Sequence, residues 1–251
     1  MRAGTTSSGF RYQLLDPAQS PPLAVIVAEA AGLGLARFQV CENARPLSCP
    51  RGGWEAMLDR AAAAGIEIGL GAKTLDIGVF RRYVELAASV PNRTLRLVLE
   101  EDGGAPPTRA GVEEFLRAAV PLVETAGLRL AVENHFDVPS KILAEVAAGY
   151  PADLLGFCVD TANSLRSFES PETVLDLLGG HRDLKLLAVD ATDVRARVLA
   201  VEVRERDVAG QRDRDAARGE LGRVAQQEVG VALLVGDGDD VQRTQGRQRF
   251  V

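Results

Sequence analysis

The chain has 251 residues, of which 46% are apolar and 25% charged, enough material for one large core. Its net charge of −6 argues against a nucleic-acid binder that works by charge alone, since such proteins present a basic face. No run of about 20 apolar residues is present, so no membrane span is read, and MRAGTTSSGF lacks the apolar stretch of a secretory signal. The three cysteines, Cys41, Cys49 and Cys158, have no metal-type spacing and read as reduced thiols of a cytoplasmic protein.

Arg2 to Phe10 predicts a weak first strand running into a polar loop. Pro17, Pro21 and Pro22 open a helix through LAVIVAEAAG, and Gly32 and Gly34 stop it. LARFQVCEN is the second strand and ends near Glu42 and Asn43. A helix from Trp54 to Ala64 stops at Gly65, and IEIGLG follows as the third strand, with Lys73 just past it. Asp76 to Val90 is helical. TLRLVLEE is the fourth strand and ends in Glu100 and Glu101. Thr108 can cap the next helix, because its hydroxyl accepts an N–H of the first turn. That helix runs to Thr125. LRLAVEN is the fifth strand, Pro139 to Tyr150 a helix, and LLGFCVD the sixth strand. Ser170 caps the helix that follows, and LKLLAVDA is the seventh strand.

Strands thus recur at steps of about 30 residues with a helix in each gap, which predicts an α/β fold, a (β/α)8 TIM-type barrel of parallel strands. An open doubly wound sheet would usually show a glycine-rich phosphate loop after its first strand, and none is found. Residues 1–192 supply seven strands and their helices. After about His181 the patterning fades. From Arg182 to Val251 there are 12 arginines, one lysine, no proline and one aromatic residue, Phe250. VALLVGD is the one later run that reads as a buried strand. Residues 193–251 are therefore expected to be divergent, or the product of a shifted reading frame, and the barrel irregular after its sixth or seventh strand.

Function in such a barrel sits at the C-terminal ends of the strands. Polar residues collect there: Glu42 and Asn43, Lys73, Glu100 and Glu101, Glu133-Asn134-His135, and Asp160 to Asn163. Glu133 and Asp160 are the centre of the expectation. They end two adjacent strands, one strand–helix repeat apart, so both should point into one site. Two carboxylates so placed can hold a divalent cation. Oxygen ligands favour Mg²⁺ or Mn²⁺, and an added imidazole moves the choice toward Mn²⁺, Co²⁺ or Zn²⁺. His135, next to this pair, is a candidate for substrate contact. Asn43 is a further candidate, and Lys73 is placed to meet a phosphate or a hydroxyl-rich substrate. Helix caps and salt bridges are the ordinary alternative for acids at strand ends.

FQVCENARPL, IEIG, LRLVLE, LAVENH and GFCVDTANSL together resemble the xylose isomerase-like TIM-barrel superfamily of sugar-phosphate isomerases and epimerases. The resemblance runs from about Gly4 to Thr192, and the last two segments are its specific carriers. It implies that Glu133 and Asp160 are metal ligands and that Glu133 is also an acid–base group. It places Asn163 in a D-T-x-[HN] motif near metal or substrate. The substrate implied is a small sugar or polyol, the reaction a proton transfer next to a carbonyl. A dehydratase of cyclic polyols resembling the inosose dehydratases is the close variant. The chain departs from the family where a third ligand, a histidine, belongs on the seventh strand; LLAVDA carries none, with Lys185 or Leu187 in that place and Asp190 matching the family's aspartate. Asp237 is the sole candidate for the glutamate expected on the eighth. A barrel with a lost activity is the reading from another class. Apurinic-site endonucleases of the same superfamily need many histidines for their multi-zinc site, and two are too few. No nucleic-acid or membrane partner is expected, and a homo-oligomer is left open.

Overall fold

A computed structural model describes residues 4–135, 137–160, 163–164 and 167–179, together with the backbone of 186–190 and 232–233. Seven strands run in parallel and pair in chain order: β1 (Gly4–Thr6), β2 (Arg37–Val40), β3 (Glu67–Lys73), β4 (Thr94–Val98), β5 (Arg129–Glu133), β6 (Leu155–Asp160) and β7 (Leu186–Asp190). Helices fill the gaps: α1 (Leu23–Gly32), α2 (Arg51–Ala64), α3 (Ile77–Ala87), α4 (Arg109–Thr125), α5 (Ser140–Ala147) and α6 (Pro171–Gly179). The alternation read from the sequence is the alternation of the fold.

The local causes are visible. Asp76 accepts the Val79 N–H at 2.8 Å and starts α3, and Thr108 accepts the Gly111 N–H at 3.2 Å and starts α4. Ser170 does the same for Thr173 at 3.1 Å, ahead of α6. Gly65 and Gly127 have φ of 68° and 65°, the left-handed backbone in which a helix turns into the next strand.

The two faces of the sheet differ in chemistry. Phe38, Ile68, Leu70, Leu95, Leu97, Leu130 and Phe157 are buried almost completely. They alternate with Gln39, Gly69, Gly71, Arg96, Ala131, Gly156 and Cys158, as side chains on a strand must. The first set packs with apolar residues of the helices in one continuous core. The second set, small or polar, faces the barrel axis. At the lower end, Arg37 pairs with Glu67 at 3.2 Å, and Asn92 donates to the other Glu67 oxygen at 3.0 Å.

After β7 the sheet is irregular. β8 (Ala232–Leu233), which falls in the VALLVGD run, pairs antiparallel with β7 and packs beside β1. A parallel neighbour requires a crossover of a dozen or more residues, usually a helix. Residues 191–231 carry no strand–helix patterning of that kind. The expectations for Lys185 and Asp237, and for residues 193–251 apart from β8, lie outside the described residues.

Candidate active site at the C-terminal ends of the strands

Glu133 is the last residue of β5 and is 5% exposed. Its register partner on β6 is Cys158, two residues before Asp160, so Glu133 and Asp160 share one face and one rim. Asn163 joins them. Its side-chain amide donates to Glu133 Oε1 at 3.3 Å, and its backbone N–H donates to Asp160 Oδ1 at 3.3 Å. Asn134 holds the two strand ends together from behind: it accepts the Asp160 N–H at 2.6 Å and donates to the Asp160 carbonyl at 2.9 Å.

The other oxygen of Glu133 accepts a hydrogen bond from Nε of Arg96, which projects inward from β4. Arg96 Nη1 lies 3.9 Å from Glu42 Oε2 and 3.7 Å from Cys41 Sγ. Burial opposes its charge, but Glu133 and its neighbours outweigh burial and hold the guanidinium well above its ordinary pKa. Burial pushes the Cys41 thiol up to about 12, against the pull of Arg96. Arg96 was not singled out by the pattern of the sequence. Its signal was an arginine at an inward position between apolar residues of the strand TLRLV.

His135 follows on the same rim. Its Nδ1 lies 2.8 Å from Glu100 Oε2, a contact not aligned as a hydrogen bond. Burial lowers the pKa of His135, against the carboxylates of Glu133 and Glu100, so the imidazole is held toward its neutral, ligating form. Ligand atoms of Glu100, His135 and Asp137 all lie within 4.8 Å of one another, a second grouping able to hold a cation. Lys73 is the last residue of β3 rather than beyond it. It lies 3.6 Å from Glu100 and is hydrogen-bonded to Asp102, so it shares Glu100 with His135.

Asn43 is fixed by Ser7. Its amide donates to the Ser7 carbonyl at 3.0 Å, and its side-chain oxygen accepts from the Ser7 hydroxyl. Ser7 Oγ in turn accepts the Cys41 N–H at 2.9 Å. This side chain ties β1 to β2, because the short first strand otherwise has three residues with which to hold the ring.

The donor set suits a divalent cation. Glu42 and Glu133 flank Arg96, Glu100 and Asp102 hold Lys73, and Asp160 stands on the same rim as Glu133. Glu42 Oε2 and Glu100 Oε2 are out of contact with water and accept no hydrogen bond. Hard oxygens in excess of positive charge are what Mn²⁺ or Mg²⁺ requires. Of the two further ligands that the resemblance implies, neither is met among the described residues: the described part of strand seven holds no histidine, and β8 no glutamate. A groove of about 750 Å³ between α2 and α3, lined by Leu47, Trp54, Leu58, Arg82 and Leu86, contains none of these carboxylates. Trp54 there packs on its helix and donates to Ser89 at 3.0 Å.

By fold, the chain is a TIM-type α/β barrel. It superposes on a xylose isomerase domain protein from Planctomyces limnophilus with a TM-score of 0.51 and 16% identity, over 65% of this chain and 67% of that one. It superposes on the D-allulose 3-epimerase from Methylomonas sp., solved with D-allulose, with a TM-score of 0.57 and 10% identity, over 76% and 73%. No protein-family model matches the chain. Among curated proteins it is similar to the 3-oxo-isoapionate decarboxylase of Pectobacterium atrosepticum, 25% identical over 178 residues, 70% of this chain. The match spans 64% of the length of that relative.

Proposed function

We propose that this chain acts on a small polyhydroxy carbonyl compound, a sugar or sugar phosphate, as an isomerase or epimerase that moves a proton at the carbon next to the carbonyl. The observation that supports this most is the meeting of Glu133 and Asp160 on one rim through Asn163. In this reading Glu133 is the acid–base group, set at the floor of the site where water is largely excluded. Glu133 and Asp160 would hold a divalent cation, Mn²⁺, Mg²⁺, Co²⁺ or Zn²⁺. That cation, when bound, polarises the substrate carbonyl as a Lewis acid. Asn163 orients both carboxylates and reaches the substrate from the β6 side. His135 and Lys73, gathered on Glu100, contact substrate hydroxyls or a phosphate. Asn43, held in place by Ser7, is a further contact for substrate hydroxyls in this reading. The unbridged Cys41, Cys49 and Cys158 accord with a reducing, cytoplasmic setting.

The test is solvent exchange. D-allulose, the sugar bound in the Methylomonas epimerase, is incubated in D₂O with the protein and Mn²⁺ and followed by proton NMR. The proton beside the carbonyl should be lost from the spectrum with the parent chain and retained with Glu133→Gln. Other ketoses and their phosphates follow in the same assay. No exchange with any of them, and a Glu133→Gln variant equal to its parent, would mean a barrel without this activity.

A second reading is favoured by the curated relative, which is a decarboxylase. Loss of CO₂ from a 3-oxo acid leaves the same charge beside the same carbonyl as proton removal does. A polyol dehydratase of the inosose type begins from that charge as well. Release of CO₂ from a 3-oxo sugar acid, without exchange into D-allulose, would select the decarboxylase.

A further inference from the structure

We propose that Arg96 and a divalent cation compete for Glu133, and that cation binding moves the guanidinium from Glu133 to Glu42. The proposal rests on the reading of Glu133 and Asp160 as cation ligands.

The position of Arg96 is built into the barrel. Its register partners are Gly71 on β3 and Ala131 on β5, and Ala131 is itself in register with Gly156 on β6. Small residues therefore flank it on both sides of the inner wall. A Cβ at Gly71 would stand 3.0 Å from Arg96 Nη1 and 3.2 Å from Cys41 Sγ, so the guanidinium lies in space that a side chain at 71 would take. The long arginine stem is thereby aimed at the floor of the site.

The pairing leaves Glu133 poorly placed to take a metal. Oε2 accepts from Arg96 and Oε1 from Asn163. A metal on Glu133 would share its carboxylate with the guanidinium, and the two positive charges at such close range would repel each other. Yet the rim as a whole attracts a divalent ion, because its carboxylates outnumber its cationic side chains. The conflict has one local resolution. Glu42 Oε2 is out of contact with water, accepts no hydrogen bond and lies 3.9 Å from Arg96 Nη1. A small rotation of the arginine side chain would bring the guanidinium onto it and release Glu133. Arg96 thus stands between two carboxylates, one able to bind the cation and the other able to receive the displaced charge.

The experiment titrates Mn²⁺ alone into the full chain by calorimetry. Arg96→Met should bind Mn²⁺ about tenfold more tightly than the parent, within the usual range for coupled sites. Adding Glu133→Gln to Arg96→Met should remove that gain. Glu42→Gln should weaken Mn²⁺ binding in the parent by a larger factor than in Arg96→Met, because only the parent needs a place for the guanidinium. Should Arg96→Met fail to fold, Arg96→Gln removes the charge while keeping a polar side chain and should also bind more tightly than the parent. If the parent binds Mn²⁺ and removing the guanidinium brings no gain, the competition is overturned while the cation reading stands. Equal effects of Glu42→Gln in both backgrounds would overturn Glu42 as the receiving group. If neither parent nor variant binds Mn²⁺, the cation reading falls and this proposal with it.

Discussion

Cys41 shows how the site sorts side chains of one kind. Buried beside Arg96, it has its pKa pushed up to about 12, while Cys49 lies partly exposed on the loop before α2. A thiol reacts as its thiolate, so burial protects Cys41 twice, by access and by protonation. Titration of the folded protein with a disulfide reagent at pH 8 should therefore modify Cys49 first, with Cys41 and Cys158 reacting at the rate of unfolding. Rapid modification of all three thiols would contradict the buried site. Glu133, Asp160 and His135 were legible as residues because each stands at the end of an apolar strand. Arg96 was not, because its meaning depends on a partner 37 positions away in the chain. The bond from Asn43 to Ser7 was hidden for the same reason: its partner lies 36 positions away.

Element boundaries followed local chemistry closely. The capping residues Asp76, Thr108 and Ser170 each meet an N–H of the first turn, and left-handed glycines follow α2 and α4. Asp76→Ala should therefore cost about 1 kcal/mol, read as a lower urea midpoint with unchanged slope, since α3 would begin with an unsatisfied donor. A variant as stable as its parent would show that water replaces the cap without loss. The strands were legible as apolar runs, but their two faces were not equally so. Parallel strands covered on both sides read as nearly continuous apolar sequence. Only the register showed that Gly71, Ala131 and Gly156 form a wall beside Arg96 rather than a set of weak strand positions.

For the whole molecule, the regular strand–helix repeat was enough to specify a parallel barrel, in which the candidate site lies at the C-terminal ends of the strands. The repeat fades after the seventh strand, and there the ring is continued by a two-residue antiparallel strand instead of a parallel one. We propose that a shift of reading frame replaced the last part of an ancestral barrel. Translating the underlying DNA in its other frames should reveal a histidine on the seventh strand and a glutamate ending an eighth. Finding neither would mark residues 193–251 as a divergent end of this domain. A chain rebuilt with those two ligands should bind Mn²⁺ more tightly than the present one in the calorimeter, because a complete ligand shell raises affinity.

By itself the sequence determined the order of strands and helices, the helix starts and stops, and the two acids that meet at adjacent strand ends. Each of these depends on interactions within about one strand–helix repeat, so the pattern along the chain carries them. Only the tertiary structure decided that Arg96 lies on Glu133, that Ser7 holds Asn43 and that β8 runs backward. Those outcomes depend on which distant segments the ring brings side by side, and on where charge is left without water once it closes.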